Sequence, residues 1–254
     1  MILDTIVVRK HEEVAALKRR GLPTMDRPVE PPRGFIQALV NAPGVAIIAE
    51  AKKASPSKGV IQPDFDPVRI ARSYKQGGAH CLSVLTDVDF FQGALDYIPL
   101  VRETVDLPVL RKDFIIDPLQ IEEARAVGAD AVLLIAAILE TDRLREFRLL
   151  AESLGMDALV EIHDEQELDS ALRAESRLIG INNRNLNDFT VNLENTFRLK
   201  KKIPAGIPVV SESGISTVED MRRLKEAGIT AALIGESLMR AGRQDQLLRE
   251  FLDL

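Results

Sequence analysis

The chain has one cysteine, three histidines and no long apolar run, and each shortage removes a class of protein. Cys81 alone cannot form an intrachain disulfide, so a reducing compartment fits. Its place in the apolar run "CLSVL" predicts a core residue rather than a nucleophile. His11, His80 and His163 stand singly, without ligand spacing to one another or to Cys81, so no metal is expected. A membrane span needs about 18 consecutive apolar residues, and charges interrupt every run before that length. Asp4, Arg9, Lys10, Glu12 and Glu13 leave no room for a signal-peptide apolar region. These features predict a cytoplasmic, soluble protein without a membrane partner. A basic stripe is also missing: 33 Lys and Arg are interspersed with 39 Asp and Glu for a net charge of −6, so no nucleic-acid partner is expected.

What is present is a repeated joint. "GGAHCLSVL", "VGADAVLLI", "LGMDALVEI" and "AGITAALIG" each place a glycine where a helix ends in the left-handed conformation, and a strand is predicted to start two positions later. The joint glycines Gly78, Gly128, Gly155 and Gly228 lie close to two, one and three multiples of roughly 25 residues apart, the size of one strand-loop-helix unit. Pro-led runs and "RLIGIN" supply the other strands. The predicted strand ends are Glu50, Leu85, Lys112, Ile135, Glu161, Asn182, Glu212 and Gly235. Helices are expected over 118–127, 141–154, 165–174 and 217–227, several opened by Asp or Ser. Eight parallel units predict a (βα)8 TIM barrel over 45–254, preferred to a doubly wound open sheet. Residues 1–44 form an N-terminal helical extension with two helix-like pieces, "KHEEVAALKRR" and "RGFIQALVNA". Val14, Leu17 and Ala15 make a weak stripe that lays the first piece on the barrel, where it caps one mouth.

Strand periodicity then assigns the polar ends. If Ile48 points inward, so do Glu50 and Lys52; the same alternation turns Lys112, Glu161, Asn182 and Arg184 inward, and Arg111 and Asp113 outward. All sit at carboxyl ends of strands, the face on which barrel active sites are built. Rim salt bridges are the structural alternative, but agreement among five strand ends favours acid/base chemistry. "SESGIS" and "LIGESLM" each put a glycine beside a predicted helix start after strands seven and eight, an arrangement suited to a phosphate.

The stretches "IIAEAKKASPSKG", "LRKDFIIDPLQI", "LVEIHDEQEL", "IGINNRNL", "VVSESGIS" and "LIGESLM" together resemble the indole-3-glycerol phosphate synthase family across nearly the whole chain. The resemblance implies ring closure and decarboxylation of 1-(2-carboxyphenylamino)-1-deoxyribulose 5-phosphate without a cofactor, in tryptophan biosynthesis. It implies Lys112 as general acid, Glu161 as its carboxylate partner and Glu50 as a second acid/base group. Lys52 would hold the substrate carboxylate. Ser55, Asn182, Arg184, Glu212 and Ser213 would line or position the substrate, and Phe114 would offer an apolar face to the anthranilate ring. The backbone at Gly214 and Gly235 would take the phosphate. Glu236 stands where some relatives carry Ser, and its side chain is expected to turn away from that anion. A side chain at Gly235 is accordingly expected to weaken affinity more than turnover. A monomer or weak homo-oligomer is expected. Three other readings stay open: a phosphosugar isomerase such as phosphoribosylanthranilate isomerase, a Schiff-base aldolase using Lys52 or Lys112, and a catalytically silent phosphate-binding barrel.

Overall fold

The computed structural model describes residues 2–185 and 188–253. Eight parallel strands close on themselves: β1 (Ala46–Ala51), β2 (Cys81–Leu85), β3 (Val109–Lys112), β4 (Ala131–Ile135), β5 (Asp157–Ile162), β6 (Ile179–Asn182), β7 (Val209–Glu212) and β8 (Ala231–Ile234). Neighbours in sequence are neighbours in space, and β1 pairs with both β2 and β8. The fold is a TIM barrel, and every predicted strand end falls within one residue of the observed one. A short antiparallel hairpin, Ala54–Ser55 with Gly59–Val60, sits in the loop after β1 and was not expected.

The joints work as the glycines require. Gly78, Gly128, Gly155 and Gly228 all have φ between 66° and 93°, a region that only glycine enters without strain; the next strand begins two or three residues on. Between the strands run α3 (Pro67–Gly77), α4 (Tyr97–Thr104), α5 (Pro118–Ala126), α6 (Thr141–Ser153), α7 (Glu165–Arg173) and α8 (Glu194–Lys200). Several helix starts are fixed by side chains. Asp66 caps α3, Asp117 caps α5 and Asp164 caps α7, each accepting a bond from an otherwise unpaired N–H of the first turn. Thr217 does the same for α9 (Val218–Glu226), within a capping box.

Strand alternation divides the core in two. Ile47, Ala49, Val84, Val132 and Val160 pack outward beneath the helices. Ile48, Cys81, Leu110, Leu133, Leu159 and Val210 fill the barrel interior. The floor of that interior is closed by Phe35 and Leu39 of α2 (Phe35–Val40). Two carboxylates at the amino ends of strands hold this plug: Asp130 accepts from Arg33 N at 2.7 Å, and Asp157 accepts from Ile36 N at 2.8 Å.

The first helix departs from expectation. It runs from Ile2 to Arg20, and its buried stripe is Ile6, Lys10, Val14 and Leu17, while Ala15 is exposed. Spacings of four, four and three keep those residues on one helical face, whereas Ala15 lies about 100° round from Val14. The N-terminal extension therefore straddles the barrel. The first turns of α1 reach the carboxyl-end mouth, where Ile2, Leu3 and Ile6 wall a pocket, and α2 plugs the opposite end.

Candidate active site

Above the apolar layers the inward positions become polar. Glu50 lies one residue before the end of β1, Ser83 lies on β2, Lys112 ends β3, Glu161 lies on β5, Asn182 ends β6 and Glu212 ends β7. Pairing fixes their heights, with Glu50 level with Ser83 and Asn182 level with Glu212. Lys112 Nζ lies 2.9 Å from Glu161 Oε2 and 3.2 Å from Glu212 Oε2. Lys52 Nζ lies 2.7 Å from Glu50 Oε1, and Ser83 Oγ donates to Glu50 Oε2 at 3.3 Å.

Three carboxylates and one ammonium sunk in this layer set one another's protonation. Burial pulls the Lys112 ammonium down, but Glu161, Glu212 and Glu50 outweigh it and hold the group charged, well above the ordinary lysine range. Burial raises Glu161, yet Lys112 and His163 draw it down to about 2. Glu50 is likewise raised by burial and lowered more by Lys52 and Lys112, so it stays ionised. Glu212 goes the other way: burial and the neighbouring Glu161 charge outweigh Lys112 and push it up to about 7. One lysine thus stays charged between an ionised carboxylate and one that changes protonation near neutrality, a division of labour suited to proton transfer.

Two glycines make room for these carboxylates. A Cβ at Gly180 would collide with Glu212 Oε1, and one at Gly235 would collide with Glu50 Oε1. The expectation for Gly235→Val changes with this. The new side chain displaces Glu50 from Lys52, so turnover is expected to fall by at least tenfold along with any loss of affinity. Steady-state kinetics of the variant checks this; a rise in the Michaelis constant at parental turnover would contradict it.

The pocket wall includes Glu50, Lys52, Ser55, Lys112, Phe114, Glu161, Asn182, Arg184, Glu212, Ser213 and Glu236. Gly214 and Gly235 are not on that wall. Gly235 does precede a short helix, α10 (Glu236–Arg240). Gly214 is not beside a helix start, because α9 begins four residues later at Val218; with Ser213 it forms two successive left-handed residues, φ 66° and 80°. The Glu236 carboxylate is turned to Arg240, which donates to it at 3.1 Å, and to Arg184 Nη2 at 3.8 Å. Phe91 and Phe189 also line the pocket, and Phe91 stands 5.9 Å from Phe114, ring centre to ring centre. Neither was expected, since both lie in loops where periodicity gives no direction.

Arg111 is not on the pocket wall, as strand parity implied, whereas Asp113, just past the end of β3, borders the pocket beside Phe114, against the outward expectation. Arg111 is buried and reaches Asp113 Oδ2 at 3.1 Å and Glu123 Oε2 at 2.9 Å, and Asp113 in turn holds Lys10 at 2.8 Å. Arg111→Met would take one cationic partner from each of two buried carboxylates, leaving Asp113 with Lys10 and Glu123 with Arg20, so this outward residue carries a structural load. Cys81 is a core residue at the base of the interior, where burial pushes its thiol far above the ordinary range. Glu161, Glu212 and Glu50 raise the Lys112 amine, the opposite of the lowering that favours a Schiff-base lysine.

Residues 3–251 match the family model described as indole-3-glycerol phosphate synthase. Proteins of that name from Desulfotalea psychrophila, Polaromonas naphthalenivorans and Acetivibrio thermocellus are 59%, 50% and 48% identical to this chain. The alignments cover 98%, 98% and 99% of it and 97%, 97% and 99% of them. Solved structures with a similar fold include the N-acetylmannosamine-6-phosphate 2-epimerase from Clostridium perfringens, with TM-score 0.61 and 18% identity over 85% of this chain and 95% of that one. A 3-hexulose-6-phosphate synthase gives TM-score 0.65 and 13% identity over 82% of this chain and 98% of that one. At such identities the structures speak for the fold alone. The family match and the relatives, spanning almost the whole length, show that the chain belongs to the indole-3-glycerol phosphate synthase family.

Proposed function

We propose that this chain converts 1-(2-carboxyphenylamino)-1-deoxyribulose 5-phosphate to indole-3-glycerol phosphate, CO2 and water, the ring-forming step of tryptophan biosynthesis. The observation that carries the assignment of roles is Lys112, held charged between Glu161 and Glu212 at the closed end of the pocket. The ring carbon bearing the carboxylate bonds to the ketone carbon, and the carbonyl electrons move to oxygen. Lys112 donates the proton that oxygen needs, and its fixed charge stabilises the oxygen as it turns anionic. CO2 then leaves, and its bonding electrons restore the aromatic ring. A second proton on the same oxygen lets it leave as water, while the methylene carbon beside nitrogen gives up one proton to an ionised carboxylate, Glu50 or Glu161.

The remaining roles are those the family resemblance implies. Lys52 faces the pocket with Glu50 behind it and would hold the substrate carboxylate. Phe114, with Phe91, would receive the aromatic ring. Ser55, Asn182, Arg184 and Ser213, all on the pocket wall, would orient the sugar hydroxyls; the family resemblance gives the phosphate to the backbone at Gly214 and Gly235, just behind Ser213 and Glu236 of that wall. No described helix is long and apolar enough to cross a membrane; we place the enzyme in the cytoplasm as a monomer or weak homo-oligomer, which analytical ultracentrifugation checks.

The direct test is to mix the protein with the anthranilate-ribulose phosphate and follow indole fluorescence. Product should form, and exhaustive dialysis against EDTA should leave the rate unchanged. No product, or activity restored only by a divalent ion, would contradict the reading.

A further inference from the structure

Resting on that reaction, a proton count raises a further demand. The departing oxygen takes up two protons and the methylene carbon returns one, so each turnover consumes one proton, balancing the carboxylate charge that leaves as neutral CO2. Lys112 can give one. It must then be recharged for the second donation while the substrate occupies the pocket through which water would otherwise arrive.

His163 is placed to do this. It follows Glu161 by two residues, just beyond the end of β5, so the same strand parity brings it to the carboxyl-end face beside that carboxylate. Its Nδ1 lies 3.0 Å from Glu167 Oε2 on α7, and a carboxylate there fixes Nδ1 as the donor. The backbone N of His163 donates to that same oxygen at 2.7 Å, and Asn195 Nδ2 donates to the His163 carbonyl at 2.9 Å, so the residue is held from two sides. The other ring nitrogen, Nε2, is buried, makes no hydrogen bond among the described residues, and lies 3.4 Å from Glu161 Oε1. The opposite oxygen of Glu161 is the one on Lys112. On its other side His163 lines a groove with Glu167 and Asn195; this groove adjoins the pocket, with which it shares Leu3, Asn182 and Arg184.

We infer that His163 holds the proton each turnover consumes and passes it from Nε2 to the Glu161 carboxylate, and thence to the Lys112 amine, regaining it from the outer groove between turnovers. The step balances: the Nε2–H bond breaks, a carboxyl O–H forms and breaks in turn, and the Lys112 N–H bond is remade, leaving a neutral imidazole. The charges around the ring suit this. Burial disfavours the imidazolium, but Glu167, Glu161 and Glu212 outweigh it and raise His163 above its ordinary value, with Lys112 screened behind Glu161. His163 touches no reacting atom; it acts through Glu161. The histidine of the stretch "LVEIHDEQEL" thereby gains a role that its isolation in sequence did not suggest.

The experiment uses the full chain with enzyme in excess over the anthranilate-ribulose phosphate, measuring single-turnover rate constants for indole formation. His163→Gln keeps an amide donor for Glu167 but cannot carry the proton, and His163→Ala opens a space for a small base. Both are expected to be about tenfold slower or more, with substrate affinity within about twofold of the parent. Imidazole in the buffer should accelerate His163→Ala several-fold and leave the parent and His163→Gln unchanged, while tetramethylammonium chloride at equal ionic strength accelerates none. Parental speed in His163→Gln, or failure of imidazole to accelerate His163→Ala, overturns the relay while the proposed reaction stands. A parent that forms no indole overturns the reaction, and the relay with it.

Discussion

Lys112→Met is expected to lower turnover by about two to four orders of magnitude, the range for losing a general acid, while binding of a product analogue changes far less. The separation follows from when the interaction is strongest. In the ground state the ketone oxygen is neutral and gains little from an ammonium already shared by Glu161 and Glu212. As the new bond forms, that oxygen becomes anionic, so the contact strengthens in the transition state, and its loss falls on turnover. Methionine retains most of the stem, which limits the cavity left behind. It removes the cation, however, and leaves Glu161 and Glu212 facing each other. Glu161 should then rise toward the ordinary carboxylate range, because the larger of the two charges that depress it is gone and only His163 is left. Lys225→Met, an exposed site on α9, makes the same chemical change outside the pocket and should leave turnover within a few-fold of the parent. If Lys112→Met turns over at near-parental speed, the assignment of the acid is wrong.

The barrel and its polar mouth were legible because they depend on periodicities that a sequence carries. Glycines at φ near 66–93° mark the helix-to-strand joints, and alternation of two fixes which of Arg111 and Lys112 points inward. What depends on segments meeting was not legible. Gly235 reads as a phosphate-binding glycine at a helix start, yet the atom it leaves room for belongs to Glu50, far away in sequence and adjacent only because β8 pairs with β1. Glu212 could be placed at the mouth, but its rise to about 7 needs Glu161 beside it in a dry site. Lys10 is the extreme case. A lysine among His11, Glu12 and Glu13 looks like a solvated helix face, and nothing local says that two aspartates from two different loops will bury it.

Lys10→Met is expected to destabilise the fold by about 3–5 kcal/mol, the cost of removing one partner from a buried ion cluster. Lys10 Nζ lies 2.8 Å from Asp87 Oδ2, 2.8 Å from Asp113 Oδ1 and 2.9 Å from Glu13 Oε2, and it is 1% exposed. Those aspartates follow β2 and β3, so one ammonium ties α1 to two loops that carry pocket residues: Asp87 also accepts from Phe90 N and Phe91 N, and Phe114 adjoins Asp113. At about 2–4 °C per kcal/mol for a chain of this size, the melting temperature should fall by roughly 10 °C. Affinity should weaken too, because Ile2, Leu3 and Ile6 lose their anchor on the mouth. The pH dependence follows from two opposite shifts. Lys10 is lowered by burial but raised more by Asp113 and Asp87, so its contribution is complete below the ordinary lysine range and is lost as pH climbs through the raised value. Asp113 is raised by burial but depressed more by Arg111 and Lys10, so its contribution is present above the ordinary carboxylate range and is lost as pH falls through the depressed value. The stability gap between parent and Lys10→Met should therefore be flat from about pH 5 to pH 10 and narrow toward strong acid. Adding Asp87→Asn to Lys10→Met should recover part of the loss, since it removes one of the stranded charges. A single variant that melts within 2 °C of the parent, by calorimetry at neutral pH, would mean that Asp87 and Asp113 find compensation elsewhere and that α1 is held by its apolar stripe alone.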